Sequence, residues 1–229
     1  MNELMSESTR DPKEIVRQGY DKISENYRRE DFVFEGTGYQ QFLTEFETCL
    51  KPDSQILDLG CGCGIPVARF LAERHEVTGI DISEVQVAWA KELVPAGHFF
   101  QADMTDLEFP DGSFDAVVSF FAIISFFAII HVPVEEQTTL FAKIARWLAP
   151  GGHFLATLGF KEWTGTNPDW HGGEMYWSHA NRDTYESWLK DAGFTILAER
   201  FLPEGDGGHA VFMANRATFP PTPSATTPG

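Results

Sequence analysis

Ile56-Leu57-Asp58-Leu59-Gly60-Cys61-Gly62-Cys63-Gly64 runs a short apolar stretch straight into a turn with glycine at every second position. Such a stretch reads as a buried strand that hands over to a helix through backbone with little side-chain cover. A second strand pattern, Glu76-Val77-Thr78-Gly79-Ile80-Asp81, ends on an acid 21 positions after Gly60. Together they describe the first strand, turn and second strand of a nucleoside-binding α/β sheet. The glycines let backbone approach a ligand at the start of a helix, and the acid at the next strand end can accept a ribose diol.

The rest of the chain continues this alternation. Strand patterns fall at Gln55–Leu59, Glu76–Ile80, His98–Gln101, Phe114–Phe121 and Gly152–Leu158, with helical periodicity at Ile65–Glu73, Ser83–Leu93, Val134–Leu148 and Arg182–Ala192. Short connections between alternating strands and helices imply a parallel sheet covered on both faces. The end differs. Thr195–Phe201 and His209–Ala214 flank Pro203-Glu204-Gly205-Asp206-Gly207-Gly208 and read as an antiparallel hairpin. Before the first strand, Pro12–Tyr27 and Tyr39–Leu50 carry helical spacing. Residues 1–12 read as a flexible leader, 13–215 as one domain with a helical cap over about 13–50, and 216–229, rich in Pro, Thr and Ser, as a disordered tail.

Charge narrows the partners. Lys and Arg total 17 against 34 Asp and Glu, a net charge of −17. That field repels phosphate backbones and anionic lipid, so neither nucleic acid nor a membrane surface is an expected partner. Three cysteines, Cys49, Cys61 and Cys63, form no disulfide framework, and two of them without clustered His or Cys make a poor zinc site. No metal is expected, and a reducing, cytoplasmic setting is the simplest reading. Ala116–Val134 has no formally charged residue and is long enough to cross a bilayer. Its Ser119, Ser125, His131 and Pro133, and its start inside a central-strand pattern, favour a core strand and a site-lining loop.

That segment also carries a tandem repeat, Ser119–Ile124 copied as Ser125–Ile130. Six residues are too few for a solenoid unit. The copy adds five apolar residues and a serine beside the expected site, and the pattern leaves open which copy forms the wall.

Five separately placed motifs together resemble the class I S-adenosylmethionine-dependent methyltransferases, over roughly Tyr20–Asn215. They are Leu57–Gly64, Gly79-Ile80-Asp81-Ile82-Ser83, Gln101-Ala102-Asp103-Met104, the turn Phe109–Asp115, and Leu148-Ala149-Pro150-Gly151-Gly152. The resemblance implies a seven-stranded Rossmann-like sheet, mostly parallel, with a C-terminal antiparallel hairpin and helices on both faces. It implies S-adenosylmethionine as cofactor. Gly60, Cys61 and Gly62 would pass under its methionine portion, Asp58 would lie near its amine, and Asp81 would take the ribose hydroxyls. Asp103 would accept from the adenine amine, between Ile82 and Met104, with Ser119 also on the cofactor side and Tyr20 and Tyr27 folding over it.

The acceptor side is less defined. Methyl transfer from a sulfonium is an in-line displacement, so alignment supplies much of the catalysis, and a base is needed only where the nucleophile sheds a proton. His131 and His179 are the candidate bases. Phe120, His131, Tyr176 and Trp177 are the candidate acceptor wall, and the aromatic run Trp163–Trp177 suits a planar or apolar small molecule. Two other readings are a non-catalytic cofactor-binding or regulatory domain, should the repeat block the pocket, and an NAD-dependent oxidoreductase. The latter is disfavoured by Ile65 where a third glycine would stand. Oligomeric state is not legible.

Overall fold

The computed structural model describes residues 10–27, 35–120, 128–204 and 207–218. Seven strands form one sheet: β1 (Gln55–Leu59), β2 (Glu76–Asp81), β3 (His98–Gln101), β4 (Phe114–Ser119), β5 (Leu148–Gly159), β8 (Phe194–Glu204) and β9 (Gly207–Arg216). Their order is β3-β2-β1-β4-β5-β9-β8. The first five are parallel, and β9 pairs antiparallel with both β5 and β8. This is the expected Rossmann-like sheet with its terminal hairpin. The reversal of direction around β1 and β4 opens a crevice at the strands' carboxyl ends, where such sheets bind ligands.

Each face is closed by helices. α2 (Gly38–Glu47) and α4 (Glu84–Leu93) contribute Phe42, Leu43, Phe46, Val87 and Ala90 to one core, with Ile56, Val77, Val118 and Leu155 from the sheet. α5 (Val134–Trp147) and α6 (Arg182–Asp191) bring Leu140, Phe141, Ile144, Tyr185 and Leu189 onto Leu57, Val117 and Phe154 of the other. Alternate residues Ile56 and Leu57 thus feed opposite cores, as pleating demands. Ser83 caps α4 by accepting from Gln86 N, as its position predicts.

Three elements depart from expectation. The helix over Ile65–Glu73 shrinks to α3, Val67–Leu71. The aromatic run after β5, given no strands by its pattern, forms a second, two-stranded antiparallel sheet, β6 (Trp163–Trp170) and β7 (Gly173–His179). The repeat divides: Ser119 ends β4, residues 121–127 lie outside the described residues, and the second copy's Ile129 and Ile130 enter a 3-10 turn, Ile129–His131, both buried. No helix among the described residues is long and apolar enough to cross a membrane.

The N-terminal helix α1 (Pro12–Tyr27) packs Val16, Tyr20 and Ile23 against Met175 of β7. The crossing is so close that a Cβ on Gly19 would lie 2.3 Å from the Glu174 carbonyl oxygen, so glycine is required there. Polar contacts pin the same helix. Arg10 grips Glu174 through two 2.7 Å bonds, Ser83 Oγ donates to Asp21 at 2.7 Å, and Gln86 Nε2 donates to Ser24 Oγ at 2.8 Å.

Candidate cofactor and acceptor site

A cleft of roughly 530 Å3, part of it open to solvent, lies over the carboxyl ends of β1 and β2 beneath α1. The strand ends supply Gly60, Asp81, Ile82, Asp103 and Met104, and the opposite wall is Tyr20, Ala128 and His131.

Asp81 is the anchor. Its Oδ2 accepts from Gly62 N and its Oδ1 from Ser83 N, both at 2.9 Å, so two backbone amides hold the carboxylate in one orientation. Each oxygen keeps a further lone pair. Burial pushes its pKa up to about 6; the amides oppose this, and nearby Asp21 adds to it. Asp58, in β1, is buried and its Oδ2 has no hydrogen-bond partner. Burial, reinforced by Asp81, raises its pKa to about 8. A buried acid left unpaired is costly and invites a cationic partner.

The glycine turn is shaped for close approach. Gly60 has φ +76°, and a Cβ there would sit 2.0 Å from Ala128 Cβ, so backbone and opposite wall almost touch. Ala128 belongs to the second repeat copy, which therefore supplies this part of the wall. Cys61 is a small residue beside Gly79, its thiol pKa raised by burial, and is held out of reactive chemistry.

His131 closes the cleft. Its Nδ1 faces the Tyr176 carbonyl oxygen at 2.5 Å, and Tyr20 Oη lies 2.8 Å from Nε2. A carbonyl only accepts, so Nδ1 carries the proton and Nε2 accepts from the phenol. Burial lowers the His131 pKa to about 4, against the Tyr176 bond and with His179 adding to the fall, so the ring is neutral. Tyr20, His131, Trp177 and Trp170 form a closed circuit of rings with centroids 5.4, 5.5, 5.5 and 6.2 Å apart. Behind it, Gln137 Nε2 reaches the carbonyls of Ile129, Val132 and Ser178, clamping the 3-10 turn to β7.

Asp103 lines the cleft and has partners within the protein. Its Oδ1 accepts from Thr105 N and Oγ1, and its Oδ2 lies 3.1 Å from Lys13 Nζ, which also meets Glu136 at 2.6 Å. Burial opposes the charge on Lys13, but these two acids outweigh it and raise its pKa. Lys13 and Val16 were not anticipated as lining residues. Their spacing with Tyr20, three and then four residues along one helix, was the available signal.

The remaining residues separate. Ser119 spends its hydroxyl on the Leu59 carbonyl at 3.0 Å. Phe120 is not in the cleft lining but packs in the core with Phe42, at 6.4 Å, because β4's alternation turns it to that face. His179 lines a neighbouring groove with Trp177, and Tyr176 packs toward α1. The side chain of Tyr27 lies outside the described residues.

A crevice at the carboxyl ends of this strand order, with an acid at the end of β2 and a glycine turn after β1, defines a nucleoside-cofactor site. Residues 56–152 match the methyltransferase domain family. Phosphoethanolamine N-methyltransferase 3 of Arabidopsis thaliana is 31% identical over 180 residues, 72% of this chain and 34% of that protein. Sterol 24-C-methyltransferase of Gibberella zeae is 37% identical over 181 residues, 70% of this chain and 44% of that protein. The chain thus spans less than half the length of these curated relatives. Magnesium protoporphyrin IX methyltransferase from Synechocystis, solved with S-adenosylhomocysteine bound, superposes with a TM-score of 0.67 at 20% identity, covering 90% of this chain and all of the other. Residues 56–152 thus carry a methyltransferase domain, on the fold shared with solved class I S-adenosylmethionine-dependent methyltransferases.

The residues present fit that family's cofactor. The orphaned Asp58 oxygen suits an ammonium, the amide-held Asp81 a diol, and the apolar lining at Ile82 and Met104 a flat ring.

Proposed function

We propose that this chain transfers a methyl group from S-adenosylmethionine to a small-molecule acceptor. The Asp81 carboxylate, locked by Gly62 N and Ser83 N at the end of β2, carries this reading. Bound in the cleft, the cofactor supplies an electrophilic methyl on a sulfonium. Asp81 orients the ribose, Asp58 meets the amine, and α1 with Tyr20 covers the site and excludes water. His131, neutral and held by Tyr20 and the Tyr176 carbonyl, positions the wall where acceptor and methyl meet. An imidazole with a pKa near 4 is a weak base, so alignment supplies the rate.

Net charge of −17 supports a non-nucleic-acid acceptor, and three cysteines outside any disulfide support a cytoplasmic setting. Calorimetric titration of S-adenosylmethionine and S-adenosylhomocysteine into wild type and Asp81→Ala is the test. Binding lost in the variant supports the reading; no binding to folded wild type overturns it. One contact favours a second reading, a cofactor binder without turnover: Ala128 rests on Gly60 at the methionine end of the cleft. Binding without turnover across an acceptor panel would select that reading.

A further inference from the structure

Beside the cleft lies a second, more open space of about 840 Å3, part of it open to solvent, between the β6–β7 sheet and the 3-10 turn. Ile130 forms its floor, and Trp163, Trp177, Asn167, His179 and His209 stand around it. The Trp163 ring lies 5.9 Å from Trp177 and 6.4 Å from His179, yet Trp163 is 48% exposed. An indole held between two rings and still half open to water offers a stacking face to a third. This groove and the cleft share a wall. Ile130 faces one and His131 the other, with Trp177 5.5 Å from His131.

The chemistry of the lining is selective. No Lys, Arg, Asp or Glu is among the groove's described lining residues. Lys13 is the cation lining the adjoining cleft, and Asp103 and Glu136 engage it. A phosphate or carboxylate would find no counter-charge and would face a field of net charge −17. An ammonium would have aromatic faces but no carboxylate. Ring nitrogens and the Asn167 amide supply hydrogen bonds instead; burial, with the neighbouring His209, lowers the pKa of His179.

We propose that this groove docks the ring of the methyl acceptor and selects a neutral, flat, largely apolar molecule carrying a hydroxyl or similar polar atom. That the occupant is the methyl acceptor rests on the methyltransferase reading above; the groove's preference for a neutral ring does not.

Three matched probes test it: 1-naphthol, 1-naphthyl phosphate and 1-naphthylmethylamine, titrated into the full chain with and without saturating S-adenosylhomocysteine. Naphthol is expected to bind in preference to both charged analogues. Trp163→Ala should weaken it about tenfold and Trp163→Phe restore most of that, with S-adenosylhomocysteine affinity unchanged. Thr166→Lys, which places a cation in the exposed lining, should shift preference toward naphthyl phosphate. Naphthol binding unaffected by Trp163→Ala, a charged probe bound as tightly as naphthol in wild type, or no shift in Thr166→Lys would overturn the proposal. Absence of S-adenosylhomocysteine binding to folded protein would instead remove the methyltransferase reading, while the cofactor-free titrations still decide the groove.

Discussion

Tyr20 Oη donates to His131 Nε2 at 2.8 Å, joining the N-terminal helix to the 3-10 turn across the mouth of the cleft. With the Tyr176 carbonyl on Nδ1, this bond sets the histidine's tautomer and ties three elements to one ring. Residues 20, 131 and 176 are far apart in the chain, so this junction exists only when α1 is docked.

Tyr20→Phe leaves a buried imidazole nitrogen without its donor, costing about 1–3 kcal/mol. Cofactor affinity is expected to fall about tenfold by calorimetry, with faster amide exchange over Pro12–Tyr20. Unchanged affinity and exchange would mean that the bond does not hold the helix closed.

His131 also makes stability depend on pH. Its folded pKa, about 4, lies below the unfolded value near 6.5, so the unfolded chain binds the extra proton. Its contribution is fully present above pH 6.5 and is lost as pH falls through 4. Denaturant titrations between pH 7 and 4 should show a loss for wild type that shrinks in His131→Gln.

Asp58 acts in the opposite sense. Its folded pKa, about 8, is raised above the unfolded value, so its contribution is complete below about pH 4 and is lost as pH rises through 8. Asp58→Asn should stabilise the free protein at pH 8.5 and weaken cofactor binding. At pH 7, binding to wild type should release up to about one proton, read as a buffer-dependent calorimetric enthalpy, and the variant should release fewer.

Gly60→Ala should be severe. The φ of +76° strains any L side chain, and the new Cβ would meet Ala128 at 2.0 Å. A loss of about 2 kcal/mol or more is expected in thermal unfolding. Adding Ala128→Gly should relieve the clash and leave the backbone cost, recovering part of the stability. No recovery would place the whole cost in the backbone.

Lys13→Met removes the cation between Asp103 and Glu136. The pair is only partly buried, so the expected effect is modest, about three- to tenfold in the cofactor's dissociation rate. Stopped-flow fluorescence at low and high salt checks it: wild type should approach the variant as salt rises, because screening weakens the same contact.

Much of the sheet was legible because strands buried on both faces read as uninterrupted apolar runs, and the glycine turn and Asp81 occupy register positions that follow from them. β6 and β7 were not legible as strands. Their eight and seven residues mix Trp, Thr, Asn, Pro and Gly, and only pairing with each other makes them regular. Phe120 read as a site residue because it lies in the first copy of the repeat, after the fourth strand, and alternation beyond β4 sends it to the core with Phe42. Gln137 gave no signal, since a polar residue on a helix is normally solvated; here it is buried against three carbonyls.

By itself, the order of residues determined the sheet, the glycine turn and the acid at the end of β2, because each depends on local pattern and on periodicity along one segment. Only the tertiary structure decided that Lys13 engages Asp103, that Ala128 of the second repeat copy rests on Gly60, and that Tyr20 and Tyr176 hold His131. Those pairings join residues remote along the chain, and they form only when helix, turn and ribbon pack onto one end of the sheet.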